Sequence, residues 1–186
     1  MVDLGLLVAE AVEAAGPLGA QRGVKLDWRP CANCQVMVRG ERDQIVQVVQ
    51  NLLDNAIKYS PDGAAVRIEM QSGLGELAAA AGPDGTPRLS LVAPDPSPET
   101  YATLRVIDLG PGIARQNLPR LSERFYRVDG QKSGARSGTG LGLAIVKHIM
   151  NRHRGGLVVA SAEGEGSTFP AYFPMAQGAE AVVKAS

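Results

Sequence analysis

Asn51, Asn55, Lys58 and Tyr59 recur at i, i+4, i+7 and i+8 inside an otherwise apolar helical pattern, so they share one face of one helix. An amide oxygen is a hard ligand suited to Mg²⁺. A lysine one turn further along can meet phosphate oxygens as a point charge. Taken alone, the same face also fits a solvated polar stripe. A second group is Asp108-Leu109-Gly110-Pro111-Gly112-Ile113, directly after an apolar run. A carboxylate at a strand end can accept from an exocyclic amine, and the glycines let the backbone approach a flat ring closely. By itself it could equally be an ordinary Asp-x-Gly turn. A third, Gly138-Thr139-Gly140-Leu141-Gly142-Leu143, opens a helix. The free N–H groups and positive dipole end of such a terminus attract anions. No Lys-Ser/Thr follows, as a P-loop requires, and no buried strand precedes, as the dinucleotide fingerprint requires. Between the second and third groups lie Phe125-Tyr126-Arg127, then Lys132 and Arg136. Residues 114–137 read as a mobile, glycine-punctuated cover that brings cations toward a triphosphate.

The elements that must hold these groups follow from periodicity. Leu4, Leu7, Val8, Ala11, Val12 and Ala15 make residues 3–15 an amphipathic helix, which Gly16-Pro17 should kink or end, with room for a further turn toward Arg22. Residues 24–28 alternate like a strand. Residues 35–39 read as its hairpin partner through a turn at 30–34. Asp43 is placed to cap the helix that carries Asn51 and Asn55, and Ser60-Pro61-Asp62-Gly63 stops it. Residues 65–70 and 103–108 read as neighbouring strands. Between them, residues 71–100 are rich in Gly, Ala and Pro and read as a long loop with an extra strand at 88–93. A helix over 141–153 is stopped by Gly155-Gly156. Strands at 157–161 and 168–173 follow, joined by Gly164-Glu165-Gly166, and residues 177–186 read as a frayed tail.

Composition bounds the rest. At 186 residues, with 45% apolar and 20% charged residues, the chain is long enough for one substantial core. Nineteen acidic residues balance nineteen basic ones, so no global field draws nucleic acid or an anionic membrane. No apolar run approaches the roughly 20 residues needed to span a bilayer, so a soluble, cytoplasmic piece is expected. Cys31 and Cys34 form a lone CxxC without further ligands nearby, which reads as two small residues in a turn. His148 and His153 fall on an apolar-periodic stretch and read as structural or surface residues.

The order of these groups resembles the N, G1, F, G2 and G3 boxes of histidine-kinase catalytic domains, here residues 51–59, 108–113, 125–127, 138–143 and 164–169. The match runs from about residue 2 to 174. The phrasing Phe125-Tyr126-Arg127-Val128-Asp129 and Ala144-Ile145-Val146-Lys147-His148 is similar to the phosphate-regulon sensor kinases. The resemblance implies a two-layer α/β sandwich of Bergerat type, a mixed sheet covered by helices with a mobile ATP lid. It implies a catalytic and ATP-binding domain over 1–175 and a disordered tail over 176–186. Asn55 would hold Mg²⁺, with Asn51 in the same network, and Lys58 would contact phosphate. Tyr59 would pack near the adenine, Asp108 would accept from its amine, and Gly110, Gly112 and Ile113 would line the base pocket. Tyr126 would lie along the nucleotide. Arg127 and Arg136 would reach the γ-phosphate. Gly138, Thr139, Gly140, Leu141, Gly142 and Leu143 would cradle the phosphates, and Thr168 would sit behind the base near Asp108.

The implied reaction transfers the ATP γ-phosphoryl group to a histidine on a dimerisation domain that this sequence lacks, with a response regulator downstream. The parent would be anchored in the inner membrane. Two rivals remain at this point. Hydrolases of the gyrase, heat-shock or mismatch-repair type place a glutamate one turn before the metal-binding asparagine, whereas that position here is Asn51, and an amide is no general base. A non-catalytic nucleotide-sensing module is the other. Residues 71–100 depart from the family pattern, which often needs only a short hairpin there.

Overall fold

The computed structural model describes residues 1–30, 35–74, 86–94, 100–128 and 139–176. In chain order the elements are β1 (Val2–Asp3), α1 (Leu4–Gln21), β2 (Lys25–Arg29), β3 (Met37–Val38), α2 (Arg42–Tyr59), β4 (Ala65–Leu74), β5 (Arg88–Val92), β6 (Tyr101–Asp108), a 3-10 helix (Arg115–Arg120), α3 (Gly142–Arg152), β7 (Gly156–Ala162) and β8 (Gly166–Pro174). Six strands form one mixed sheet in the order β2-β4-β6-β8-β7-β5, in which only β2 and β4 run parallel. Helices cover one face of the sheet. This is the α/β sandwich that the resemblance implies.

The helices bury the faces their periodicity marks. Leu4, Val8 and Ala11 of α1, Val49, Leu52 and Leu53 of α2, and Val146 and Met150 of α3 enter one core with Val66, Ile68, Leu104 and Val106 of the sheet. α2 lies between α1 and α3. It therefore presents one flank to each neighbour and has a remaining strip for polar residues. Because β2 and β4 are parallel, their connection must cross over, and α2 supplies that crossover.

Several local expectations change. The segment 35–39 does not form a hairpin with β2. Its strand part, β3, pairs instead antiparallel with β1 (Val2 opposite Val38), in a separate two-stranded sheet, while β2 pairs with β4. Asp43 does not cap α2. The helix starts at Arg42 after Glu41, which makes no side-chain cap, and Asp43 sits in the first turn, where a carboxylate still favours the helix dipole. Glu41 is held instead by α3: its N–H donates to His153 Nε2 at 3.0 Å, and its carboxylate meets Arg152 at 3.0 Å. α1 runs through Pro17 to Gln21 without a break. β4 continues past Met70 to Leu74, and the extra strand within 71–100 exists as β5, bonded to β7 at the edge of the sheet. The 3-10 helix was not anticipated. The CxxC pair, the tail at 177–186 and most of the 71–100 loop lie outside the described residues. No described helix is long and apolar enough to cross a membrane.

Candidate nucleotide site

α2 turns Asn51, Asp54, Asn55, Lys58 and Tyr59 into a cavity of about 360 Å³ between the helices and the C-terminal end of β6. That volume lies within the range of small-molecule sites. The start of α3 closes one side. Gly142 packs so tightly there that a Cβ on it would lie 3.0 Å from Asn51 Oδ1 and 3.7 Å from Asn55 Nδ2. Asn51 also donates from Nδ2 to the Gln47 carbonyl at 2.8 Å, which fixes its amide and leaves the oxygen toward Gly142. The α3 N-terminus has no side-chain cap, so its N–H groups face the cavity without an internal partner from that source. Hard amide oxygens beside a helix N-terminus suit a phosphate-bound divalent cation.

Across the cavity stands Asp108, at the end of β6 and only 4% exposed. Its Oδ1 accepts the Gly110 N–H at 2.8 Å. Burial pushes its carboxyl up to about 6, against the pull of the Gly110 and Ser167 N–H groups. The loop after Asp108 is held from behind. Ile113 N–H donates to Ser161 Oγ at 2.9 Å, and Ser161 in turn donates to the Gly166 carbonyl at 2.7 Å and lies 3.0 Å from Ser167 Oγ. Gly112 adopts φ +68, and a Cβ there would fall 1.8 Å from the Ala162 carbonyl oxygen. Gly112→Ala should therefore destabilise the fold by about 3 kcal/mol or more, through left-handed strain plus overpacking, and lower the melting temperature by roughly 10 °C. An unchanged melting curve would show that the loop relaxes freely.

Further wall comes from Ile113, Leu121, Tyr126, Arg127, Thr139, Gly140 and Leu143, with Leu18 of α1 and Arg22 at its C-cap. Phe125 N–H donates to the Gly140 carbonyl at 3.0 Å, and the Tyr126 hydroxyl donates to Asn117 Oδ1 at 3.1 Å. The first bond fastens the 125–127 segment to the loop before α3, and the second ties it to the 3-10 helix. Lys58 Nζ lies 4.9 Å from the centre of the Tyr59 ring. The carboxyl of Asp54 is raised by partial desolvation.

Most of the sequence-derived site residues thus converge on one cavity. Gly110 lies behind Asp108, where a Cβ on it would fall 2.8 Å from the Tyr59 carbonyl oxygen. Leu141 is the N-cap of α3 and does not form the wall. Thr168 is a correction. It pairs with Ile107, one register step from Asp108, and the two-residue period of β8 turns Ser167 and Phe169 to the cavity instead. Ser167, opposite Asp108, and Ser161 were missed by the sequence reading, although Ser167 directly follows the Gly164-Glu165-Gly166 turn. Asp54 was passed over between two asparagines. Arg136, Gly138 and Lys132 lie outside the described residues, as does the expected cover from 129 onward.

A family model described as "Histidine kinase-, DNA gyrase B-, and HSP90-like ATPase" matches residues 40–177. The phosphate regulon sensor protein PhoR of Pseudomonas aeruginosa is 37% identical over 186 residues, covering 99% of this chain and 35% of its own length. The sensor-like histidine kinase SenX3 of Mycolicibacterium smegmatis is 33% identical over 173 residues, covering 93% of this chain and 38% of its own. The chain thus spans little more than a third of the length of these curated relatives. Among solved structures, the mycobacterial sensor histidine kinase MprB superimposes with a TM-score of 0.66 at 26% identity, covering 94% of this chain and 95% of that one. ShkA, solved full-length in complex with AMPPNP, shares the fold with a TM-score of 0.67 at 23% identity, over 96% of this chain and 31% of that one.

Proposed function

This chain belongs to the histidine kinase-, DNA gyrase B-, and HSP90-like ATPase family, and we propose that it is the catalytic domain of a sensor histidine kinase, transferring the ATP γ-phosphoryl group to a histidine on a separate dimerisation domain. The observation that carries this reading is the meeting of Asn51 and Asn55 with the uncapped start of α3 on one side of a cavity whose other side ends in the buried Asp108. One end suits phosphates and a divalent cation, and the other suits a base with an exocyclic amine. A response regulator would receive the phosphoryl group downstream. Dependence on ATP fits work in the cytoplasm, with the parent protein anchored in the inner membrane. Residues 1–175 form the domain in this account.

Asn55 would hold Mg²⁺, which when bound neutralises phosphate charge. Asn51 supports that end of the site by fixing its own amide on Gln47. Lys58 contributes a positive charge on the same helix face, and Arg127 contributes another from the segment fastened to Gly140. Arg136 completes the cations proposed for the γ-phosphate. The backbone of Gly138, Thr139, Gly140, Leu141, Gly142 and Leu143 cradles the phosphates, with α3's dipole pointing at them. Asp108 accepts from the adenine amine, and Gly112, Ile113, Tyr59 and Tyr126 enclose the base. Catalysis is then chiefly positioning and electrostatics. Hydrolysis is disfavoured, because the position one turn before Asn55 carries an amide rather than a carboxylate base.

Asn55→Ala tests this assignment. Alanine is the best helix former, so the melting temperature should stay within a few degrees of wild type. The enhancement of ATP affinity by Mg²⁺, measured by calorimetry with and without the metal, should disappear, and phosphotransfer with it. An unchanged metal dependence would remove Asn55 from the site.

A further inference from the structure

Ser161 on β7 is 1% exposed and stands behind the cavity wall rather than in it, and the function proposed above gives it no task. A hydroxyl has one proton to give and two lone pairs to receive with. Ser161 gives its proton to the Gly166 carbonyl, which can only accept, and receives the Ile113 N–H. Its third partner, Ser167 Oγ, stands 3.0 Å away in the directly paired position on β8. With the Ser161 proton already committed, Ser167 is the donor in this contact. The Ser167 side chain has no other hydrogen-bond partner among the described residues. Its proton is therefore turned toward Ser161, and only lone pairs remain for whatever occupies the cavity that Ser167 lines.

That polarity matters because of what lies beside it. Ser167 is paired with Asp108 in the register of β8 against β6, and its N–H is bonded to the Asp108 carboxyl. The turn before it is pressed against the same strand end: Gly166 has φ +84, and a Cβ on it would fall 2.2 Å from the Asp108 carbonyl oxygen. The base end of the cavity thus presents a carboxylate and a neighbouring hydroxyl oxygen, both as acceptors. An exocyclic amine brings two N–H groups to such a pair. A ring carbonyl brings none and sets its own lone pairs against theirs. Resting on the nucleotide reading, we infer that Ser161 is a positioning residue for base specificity. By taking the Ser167 proton it keeps both acceptors toward the base and favours 6-amino over 6-oxo purines.

The test measures ATP, ITP and tripolyphosphate, each with Mg²⁺, by calorimetry on the wild-type chain, Ser161→Ala, Ser167→Ala and the double variant, with melting curves to establish folding. Wild type should prefer ATP over ITP more than about tenfold, because the 6-oxo group meets both acceptors. Ser161→Ala frees the Ser167 proton to turn toward a 6-oxo group. The preference should then shrink about five- to tenfold, while tripolyphosphate binds as before. Ser167→Ala should shrink it similarly, and the double variant no further, because Ser161 acts through Ser167. A merely structural role, through the orphaned Ile113 N–H, would weaken ATP and ITP alike and leave their ratio unchanged. That unchanged ratio in a folded Ser161→Ala chain would overturn the inference alone, as would a further loss in the double variant. Should Ser161→Ala not fold, Ser167→Ala decides, since it leaves the Ile113 bond in place, and an unchanged ratio there also overturns the inference. A folded wild-type chain that binds no ATP would overturn the nucleotide reading and this inference together.

Discussion

Replacing Asp108 by asparagine should weaken ATP binding more than tenfold while leaving the fold as stable as wild type, or more so. The carboxylate is almost fully buried, and its pKa rises from the ordinary 3.8 to about 6. An acid whose pKa is higher in the folded than in the unfolded state keeps its proton longer when folded. Stability therefore falls as pH climbs between about 4 and 6, and the deficit is constant above that window. A rise from 3.8 to about 6 corresponds to a cost on the order of 3 kcal/mol at neutral pH. Asparagine keeps an oxygen for the Gly110 N–H but carries no charge, so it escapes that cost. For the ligand the change is adverse, because a charge-assisted bond worth about 1.5–3 kcal/mol is lost and the amide NH₂ can face the adenine amine. Wild-type affinity should likewise fall as the pH drops through about 6, when the free carboxylate protonates. Calorimetry and thermal melts from pH 5 to 8 check both halves. Equal affinity in the variant would take Asp108 out of the site, and a lower melting temperature at neutral pH would contradict the cost assigned to its burial.

The second large effect concerns what these 186 residues do alone. They should bind Mg-ATP and yet neither phosphorylate themselves nor release phosphate at an appreciable rate. Transfer needs a nucleophile in line with the γ-phosphate. Neither histidine is placed for it. His153 follows the far end of α3, an 11-residue helix about 16 Å long, and its ring is engaged by Glu41 N–H and the Ile149 carbonyl. His148 is exposed on α3, more than a turn beyond the glycine that faces the phosphates. The position one turn before Asn55 holds Asn51, an amide that donates to the Gln47 carbonyl and is no general base for water. Acid-labile label on the chain alone, or brisk phosphate release that vanishes in the Asn55→Ala variant, would contradict this.

The two poles of the site were legible because local chemistry and local geometry coincide there. The spacing of Asn51, Asn55 and Lys58 is a property of a helix whatever it packs against, and α2 forms as its periodicity dictates. Asp108 at a strand end and Gly142 at a helix start are likewise local facts. What the sequence concealed depends on partners far along the chain. Thr168 and Ser167 are adjacent, and only the register of β8 against β6 decides which one faces the cavity. The pairing of β3 with β1 rather than β2 joins Val2 to Val38 across the whole of α1 and β2, which no local pattern near residue 38 signals. The anchoring of Glu41 depends on His153, 112 positions away. Asp54 was overlooked for a different reason: an acidic residue on a polar helix strip has no distinguishing pattern until the cavity it faces is seen.

The central claim is phosphoryl transfer from ATP bound in this cavity to a histidine supplied by another domain. The most direct measurement mixes this chain with γ-labelled ATP, Mg²⁺ and a separately made histidine-bearing dimerisation domain from the same parent kinase. Label should pass to that domain in an acid-labile, alkali-stable form. It should do so weakly, because the tether that raises local concentration is missing, and not at all with the Asn55→Ala chain. A folded wild-type chain that binds Mg-ATP yet leaves the partner histidine unlabelled at every concentration tried would contradict the account.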